Sequence, residues 1–410
     1  MLGPGLTTGA ADDDPSGIVS YTQAGASYGY TFLWTAIFTF PMMAIVQEMC
    51  ARIGVVTGRG LAGSIRSHFP RWVIYSIASL LFVANTINIG ADLAIMGRVG
   101  SHFWPHLTPI FYILLIAIGT VGLQIYTSYK DYAKYLKWLA LVLVSYIVST
   151  FSIHVDWHAA ARSTFIPHIA FDKPTMFLLA AIVGTTISPY LFFWQTSQEV
   201  EEQILAGKTT VKERAAVTTA MDIKGMRVDV WSGMFVSNVV MFFIIVASAA
   251  TLFTNGVNVI SSGLDASQAL RPFAGNAAYF MFAVGILGTG LLAIPVLAGS
   301  SSYAISESFG WREGLYRKFK QAHAFYGVII VSMLLGILIN LFQIDAIKTL
   351  LYSAAINGII APAILVLILL LSSDKKIMGR WRNGPATQIL GWLITLIMAG
   401  VSLGGIFSLF

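Results

Sequence analysis

The chain has 410 residues, of which 56% are hydrophobic and only 11% are charged, and its mean hydropathy is +0.75. Soluble domains carry about 25% charged residues, so a water-soluble globular fold is excluded and a membrane fold is expected. The net charge of +6 does not indicate nucleic-acid binding, because the basic residues are distributed as membrane topology requires. The single cysteine, Cys50, excludes an intrachain disulfide and a cysteine-rich metal site.

Eleven membrane-spanning segments are predicted, since a helical span needs about 20 apolar residues. The first segment, 2–26, is short and interrupted, and the sixth, over 174–198, is interrupted as well. The other spans are expected near 27–50, 72–97, 105–127, 132–153, 228–253, 266–300, 322–342, 346–372 and 386–409. No cleavable signal peptide is expected, because the first ten residues lack a basic segment.

The basic residues predict the orientation of these spans. With a cytosolic N-terminus, all but five of the 25 lysines and arginines fall in cytosolic loops, the exceptions being Arg98, Arg162, Lys173, Arg271 and Lys348. This asymmetry follows the positive-inside rule and predicts a plasma (inner) membrane protein with an external C-terminus. Its partners are then the lipid bilayer and a transported solute, and neither nucleic acid nor an obligate protein partner is expected. The longest cytosolic loop, 199–227, is expected to be either an amphipathic cytosolic helix or a solvated gate, and the solvated form is favoured.

The first segment combines three aspartates with a helix break, in the run Ala11-Asp12-Asp13-Asp14-Pro15-Ser16-Gly17. A carboxylate at membrane depth costs on the order of 2.5–3.5 kcal/mol, so such residues persist where they line a wet cavity or meet a cation. Asp14 is suited to cap, and Pro15 to begin, a second half-helix. The carbonyl groups freed by the break would add to the attraction for a cation. The alternative, that Asp14 is merely a cap at the aqueous mouth of a short segment, stays open.

A second break is predicted in the sixth segment, in the run Gly184-Thr185-Thr186-Ile187-Ser188-Pro189-Tyr190. Alone it is weak, because proline kinks are common in membrane helices. Its position matters more, since each interrupted segment opens a block of five spans and an odd number inverts the second block. Matching interruptions in two halves indicate a substrate site at the midplane. The predicted all-α organisation is a first inverted repeat at 1–153, a second at 174–372 and an extra span at 386–409.

The sequence resembles the Nramp family of divalent metal transporters over essentially its whole length. The residues that carry the resemblance are Gly3-Pro4-Gly5, the Asp14-Pro15 break and the stretch from Gln47 to Ala62. The family implies a LeuT-like fold with two inverted five-helix repeats, an eleventh helix and broken helices 1 and 6. It also implies that the carboxylate at Asp14 binds the metal.

Several positions depart from the family pattern. The family motif Asp-Pro-Gly-Asn has Gly17 in place of its metal-binding Asn, and the family's metal-binding Met is replaced by Ser188. The histidine of the family's Pro-His pair is Tyr190 in this sequence, and the glutamate that the family carries three residues after Asp92 is Ile95. These substitutions resemble the Nramp-related magnesium transporter branch.

The resemblance implies a metal site made of the Asp14 carboxylate, the carbonyls of Ala11 and Thr185, the Ser188 hydroxyl and the position of Gly17. All the expected donors are oxygens, which suit Mg²⁺, Ca²⁺ and Mn²⁺ better than softer metals. Mg²⁺ usually keeps several waters, and the smaller side chains would leave room for them. Further residues could hold the ion's outer waters or lie next to the site, namely Asp12, Asp13, Tyr190 and Asn357.

The predicted function is movement of divalent cations, Mg²⁺ first and also Mn²⁺, into the cytosol by alternating access. Asp92 is the one possible residue of a residual proton path, either as a relay or as a buried partner of a hydroxyl. Glu48 stands four residues before Arg52, and an ion pair on a helix face is expected. Proton coupling is therefore expected to be weak or absent, and no cofactor is expected beyond the transported ion. Two alternatives stay open: a proton-coupled Mn²⁺/Fe²⁺ transporter of ordinary Nramp type, and a Mg²⁺-dependent intramembrane enzyme.

Overall fold

The structure is a computed structural model that describes residues 3–103, 105–216, 218–258, 263–342 and 345–409. The described chain is all-helical, as predicted. Its first nine helices are α1 (Pro4–Asp12), α2 (Pro15–Tyr28), α3 (Leu33–Thr57), α4 (Leu61–His68), α5 (Arg71–Phe103), α6 (Pro109–Tyr126), α7 (Tyr129–Leu139), α8 (Val144–Phe151) and α9 (Trp157–Phe165). The others are α10 (Lys173–Thr186), α11 (Pro189–Leu205), α12 (Val211–Ala216), α13 (Ala220–Thr251), α14 (Gly263–Phe309), α15 (His323–Leu341), α16 (Ala346–Ser373), α17 (Lys375–Met378) and α18 (Pro385–Leu409).

Ten helical stretches of the described chain are long and apolar enough to cross a membrane. They match the eleven predicted segments once two features of the N-terminal region are considered. Helix α1 is too short to count alone, and α2 and α3 form one stretch over Pro15–Thr57 that turns at Gly29, where φ is +57°. Glycine adopts this left-handed conformation without the steric cost of a side chain. The prediction of a multi-pass membrane protein is confirmed.

Both predicted helix breaks are present, each just before a proline. Helix α1 ends at Asp12, and α2 begins at Pro15 with Asp14 as its N-cap. Helix α10 ends at Thr186, and α11 begins at Pro189. Proline lacks the backbone N–H that a continuous helix needs, but it is well suited to a first turn. The local residue order, a residue that can cap a helix followed by a proline, therefore explains where both helices are interrupted.

The broken helices form the centre of the bundle. In the stretch Lys173–Leu205, 89% of the most apolar 18-residue segment is buried inside the protein. The buried share is only 22% in Pro109–Tyr126, which is therefore an outer helix. Helix α13 packs along α1, α2 and α3, and α16 packs along α10 and α2. The two interruptions are thus surrounded by protein on several sides.

The solvated loop predicted over 199–227 is wrong for its first part and for Arg214, whereas most described residues of 205–227 are exposed. Helix α11 continues to Leu205, and the carboxylate of Glu201 accepts hydrogen bonds from the Tyr303 hydroxyl at 2.6 Å and the Leu315 amide at 2.7 Å. The guanidinium of Arg214 donates to the Gly58 carbonyl and is also buried. These charged groups are satisfied by distant parts of the chain, which local sequence does not reveal.

Helix α1 is held very closely against α13. A Cβ atom added at Gly233 would lie 2.0 Å from the Gly5 carbonyl oxygen, and one added at Gly9 would lie 2.2 Å from the Gly233 carbonyl oxygen. The carboxylate of Asp229 accepts the amide hydrogens of Gly3 and Gly5, both at 2.6 Å. The N-terminal half-helix is therefore fixed at its start and along its length.

This packing predicts that Gly233→Ala destabilises the protein. The added methyl would force the backbones of α1 and α13 apart, at a cost of about 1–3 kcal/mol. Gly225→Ala is the matched control, because it lies in the same helix with no atom within 4 Å of its added Cβ. Thermal unfolding in detergent measures the difference. Equal melting temperatures for the two variants would contradict the close packing of α1 on α13.

Candidate metal site

The two helix breaks lie against each other. The Ser16 hydroxyl is 3.3 Å from the Thr185 hydroxyl, and the Tyr21 hydroxyl is 3.1 Å from the Thr186 hydroxyl. From the second break, the Tyr190 hydroxyl donates to the Ala11 carbonyl at 2.8 Å. Segments almost 180 residues apart in sequence thus form one polar junction inside an apolar bundle.

Asp14 is the carboxylate at this junction. One of its oxygens accepts hydrogen bonds from the Ser16 hydroxyl at 2.6 Å and the Gly17 amide at 2.7 Å. The other accepts from the Asn88 side chain at 2.8 Å, and Asn88 accepts in turn from the Ser353 hydroxyl. The residue is 1% exposed, so it does not lie at an aqueous mouth in this conformation. Asp14 is indeed a helix cap, but it is a buried one positioned by α5 and α16.

The residues predicted around Asp14 come together at the junction. The Ser188 hydroxyl donates to the carbonyls of Gly184 at 2.8 Å and Thr185 at 2.6 Å, and its oxygen keeps lone pairs for another partner. A Cβ atom at Gly17 would lie 3.2 Å from the Asp12 carbonyl and 3.3 Å from the Thr185 hydroxyl. The space beside Gly17 is therefore occupied by the two breaks in this closed arrangement. Room for a hydrated ion there requires the breaks to separate.

Asp12 and Asp13 are fully buried and lack most of the hydrogen bonds that carboxylates accept. One Asp12 oxygen accepts from the Ser237 hydroxyl at 2.8 Å. Its second oxygen and both oxygens of Asp13 have no hydrogen-bond partner. Within the part of the chain that the structure describes, no three His, Cys, Asp or Glu residues are grouped to hold a metal ion. A cation at the junction would thus be bound by the Asp14 carboxylate together with hydroxyl, carbonyl and water oxygens. Asp12 and Asp13 would contribute to the negative electrostatic potential there.

Asn88 is a site residue that the sequence analysis missed. Besides Asp14, its amide donates to Asp92 at 3.2 Å, one helical turn further along α5. The other Asp92 oxygen has no partner, and neither does the buried side-chain oxygen of Asn357 on α16. Asp92 is therefore the partner of an amide, not of a hydroxyl. An asparagine one turn before a buried aspartate in an apolar span was the available signal.

The predicted ion pair of Glu48 is confirmed, with closer partners in addition. Glu48 lies 3.7 Å from Arg52 and 2.8 Å from Arg227, and it also accepts from the Trp231 indole at 2.8 Å. These contacts account for the carboxylate, so Glu48 needs no other role.

Known proteins match this chain almost from end to end. The Nramp family model, described as natural resistance-associated macrophage protein-like, matches residues 5–408. A divalent metal cation transporter, MntH, of Yersinia pestis (strain Pestoides F) is 28% identical over 98% of this chain and 93% of its own length. The MntH of Deinococcus radiodurans is 25% identical over 98% of this chain and 88% of its own length.

Solved structures share the fold at low sequence identity. The Eremococcus coleocola manganese transporter, in complex with an aromatic bis-isothiourea compound, superposes with a TM-score of 0.79 at 15% identity, covering 98% of this chain and 85% of that chain. Mhp1, a nucleobase-cation-symport-1 family transporter, reaches 0.62 at 13% identity, covering 99% and 91%. The predicted LeuT-like fold is confirmed. Because the family model spans nearly the whole sequence, this protein belongs to the Nramp family.

Proposed function

We propose that this protein transports divalent metal cations by alternating access and binds them between the two helix breaks. The observation that carries the proposal is the buried Asp14 carboxylate, placed where two interrupted helices meet beside the Thr185 and Ser188 oxygens. A buried charge of this kind is retained for a partner of opposite charge. The names of the relatives, as divalent metal cation and manganese transporters, support the same class of cargo.

We propose Mg²⁺ as the principal cargo, with Mn²⁺ as a second. The donors around Asp14 are oxygens, and Ser188 stands where the family carries a thioether, which favours a hard ion that keeps its waters. The name of the Eremococcus coleocola structure, a manganese transporter, favours Mn²⁺ instead, and with it the alternative of an ordinary Nramp transporter. The comparison with relatives thus supports an ordinary Nramp manganese transporter better than it supports Mg²⁺ or the magnesium branch. The proposal of Mg²⁺ rests on the site residues alone.

We further propose that uptake needs no proton partner. Asp92 accepts a hydrogen bond from Asn88, and the glutamate of the family's third-span motif is Ile95 here. Of the two carboxylates of that motif, only Asp92 is therefore left to carry a proton. A membrane potential, negative inside, favours entry of a divalent ion by about 4.6 kcal/mol per 100 mV. Location in the plasma membrane with a cytosolic N-terminus belongs to the same proposal. Transport is preferred to the intramembrane enzyme, because the relatives are named as divalent metal cation and manganese transporters.

Purified protein in liposomes tests this function. With an imposed potential, we expect uptake of both Mg²⁺ and Mn²⁺ and no metal-dependent acidification of the lumen, reported by an internal pH dye. Liposomes with Ca²⁺ measure discrimination, and empty liposomes give the leak. Uptake of Mn²⁺ without Mg²⁺, accompanied by acidification that scales with uptake, would overturn the magnesium proposal in favour of the ordinary Nramp type.

A further inference from the structure

A basic cavity of about 700 Å³ lies at one end of the bundle, away from the helix breaks. Its walls are the α3–α4 junction, the chain before α13, and the segment that joins α16 to α18. Four basic side chains line it, namely Arg59, His68, Lys376 and Arg380, with the hydroxyls of Thr57, Ser64 and Ser67 between them. The positive-inside rule assigns this end to the cytosol.

No carboxylate occurs among the described residues that line this basic cavity. A neighbouring cavity of about 450 Å³ shares Arg59 and contains Arg66 and Arg214, but it also contains Glu307 and Glu313. Arg59 thus faces the glutamates of the neighbouring cavity, whereas Lys376 and Arg380 on the opposite wall have no carboxylate among the described lining residues. Membrane topology accounts for the number of basic residues in these loops, but not for their convergence on one concave surface whose described lining contains no carboxylate. A concave surface of one charge sign concentrates ions of the opposite sign.

The basic side chains are held in place by contacts with uncharged groups, and Arg59 also faces Glu307 of the neighbouring cavity. The Arg59 guanidinium donates to the Ser67 hydroxyl at 2.8 Å, and the Arg380 guanidinium lies over the Trp381 ring at 4.6 Å. One ring nitrogen of His68 lies 2.8 Å from the Ser64 carbonyl. Each guanidinium carries five N–H donors in a planar fork, so several donors stay available for an anion. This geometry matches the oxygens of phosphate groups.

We propose that this basic cavity binds a phosphate group, carried either by an anionic lipid or by a soluble phosphorylated molecule. Its volume lies in the range of small-molecule sites. A phosphate that contacts both Arg59 and Arg380 would join the end of α3 to the segment between α16 and α18. Binding would then stabilise the folded protein, and the gain would increase with the logarithm of ligand concentration above the Kd.

Thermal unfolding of the purified full-length protein in a neutral detergent tests this site without any transport assay. Inorganic phosphate, compared with NaCl at equal ionic strength, probes the soluble source. Phosphatidylglycerol, compared with phosphatidylcholine, probes the lipid source. The cavity variant is Arg380→Gln/Lys376→Gln, and the matched control is Arg312→Gln/Lys320→Gln, which removes two exposed basic residues outside the cavity. Arg59→Gln, on the opposite wall, is a second cavity variant in case the first does not fold.

We expect one of the two phosphate probes to raise the Tm of the wild type and of the control by about 2–4 °C. The Tm of the cavity variants should not change when the same probe is added. A response to inorganic phosphate assigns the site to soluble ligands, and a response to phosphatidylglycerol alone assigns it to lipid. No response in the wild type, or an equal response in the cavity variants, would overturn the proposal. None of these Tm measurements depends on whether Mg²⁺ is the transported ion.

Discussion

Replacing Asp14 with asparagine is expected to lower divalent-metal uptake by at least about 100-fold, which corresponds to ~2.7 kcal/mol. Asparagine can still accept the Gly17 amide and cap α2, so the helix break should survive. What disappears is the charge at the junction of the two breaks. Without it, a cation that keeps most of its waters would find only neutral oxygens as direct partners, in a medium of low dielectric constant. Uptake of Mg²⁺ and Mn²⁺ into proteoliposomes measures the loss.

Asp172→Asn provides the matched control for that experiment. Asp172 caps α10 as Asp14 caps α2, accepting the Thr175 amide at 2.9 Å, but it is exposed and far from the breaks. We expect this variant to keep at least about half of the wild-type uptake, since an asparagine cap is nearly as good as aspartate. If both variants transported at the wild-type rate, the cation would not be bound at Asp14.

Ser188→Met is expected to shift selectivity from Mg²⁺ towards Mn²⁺ and Cd²⁺ by about tenfold, or ~1.4 kcal/mol. A thioether is a soft ligand that Mg²⁺ does not use, while Cd²⁺ and, more weakly, Mn²⁺ accept it. The longer side chain would also occupy space beside Asp14 that a hydrated ion needs. Competition between the ions in the liposome assay gives the ratio.

Ser188→Ala separates this effect from the loss of the hydroxyl. The hydroxyl bonds the Gly184 and Thr185 carbonyls at the end of α10, so alanine should slow transport of both ions alike. Selectivity should change only where sulfur is introduced. The same ratio of Mg²⁺ to Mn²⁺ uptake in Ser188→Met and Ser188→Ala would show that position 188 does not contact the ion.

The helix breaks were predictable because their causes are local. In each case a small polar residue that can cap a helix, Asp14 or Ser188, stands directly before a proline. The spans were predictable for a similar reason, since hydropathy over about 20 residues decides whether a helix crosses the bilayer. Where polar residues are frequent, the same reasoning gave a result that holds only in part. In 199–227 the charges suggested solvent, but Glu201 and Arg214 are buried with distant partners.

The surroundings of Asp14 were predictable only in part. The family resemblance pointed to Thr185 and Ser188, and the structure brings both to the junction. Asn88 was not foreseen, because its bonds to Asp14 and Ser353 join residues 74 and 265 positions apart. Such contacts follow from how helices pack, and no periodicity along a single chain contains them. The narrow space beside Gly17 is likewise a property of the packed breaks.

Location of a bound ion tests the central claim most directly. Crystals grown with Mn²⁺, which scatters X-rays anomalously and is proposed to share the site with Mg²⁺, would show where it binds. We expect a single peak between the Asp14 carboxylate and the Thr185 carbonyl, and its loss in Asp14→Asn. A peak beside Asp12 and Asp13 with none at Asp14, or a peak that persists in Asp14→Asn, would contradict the account.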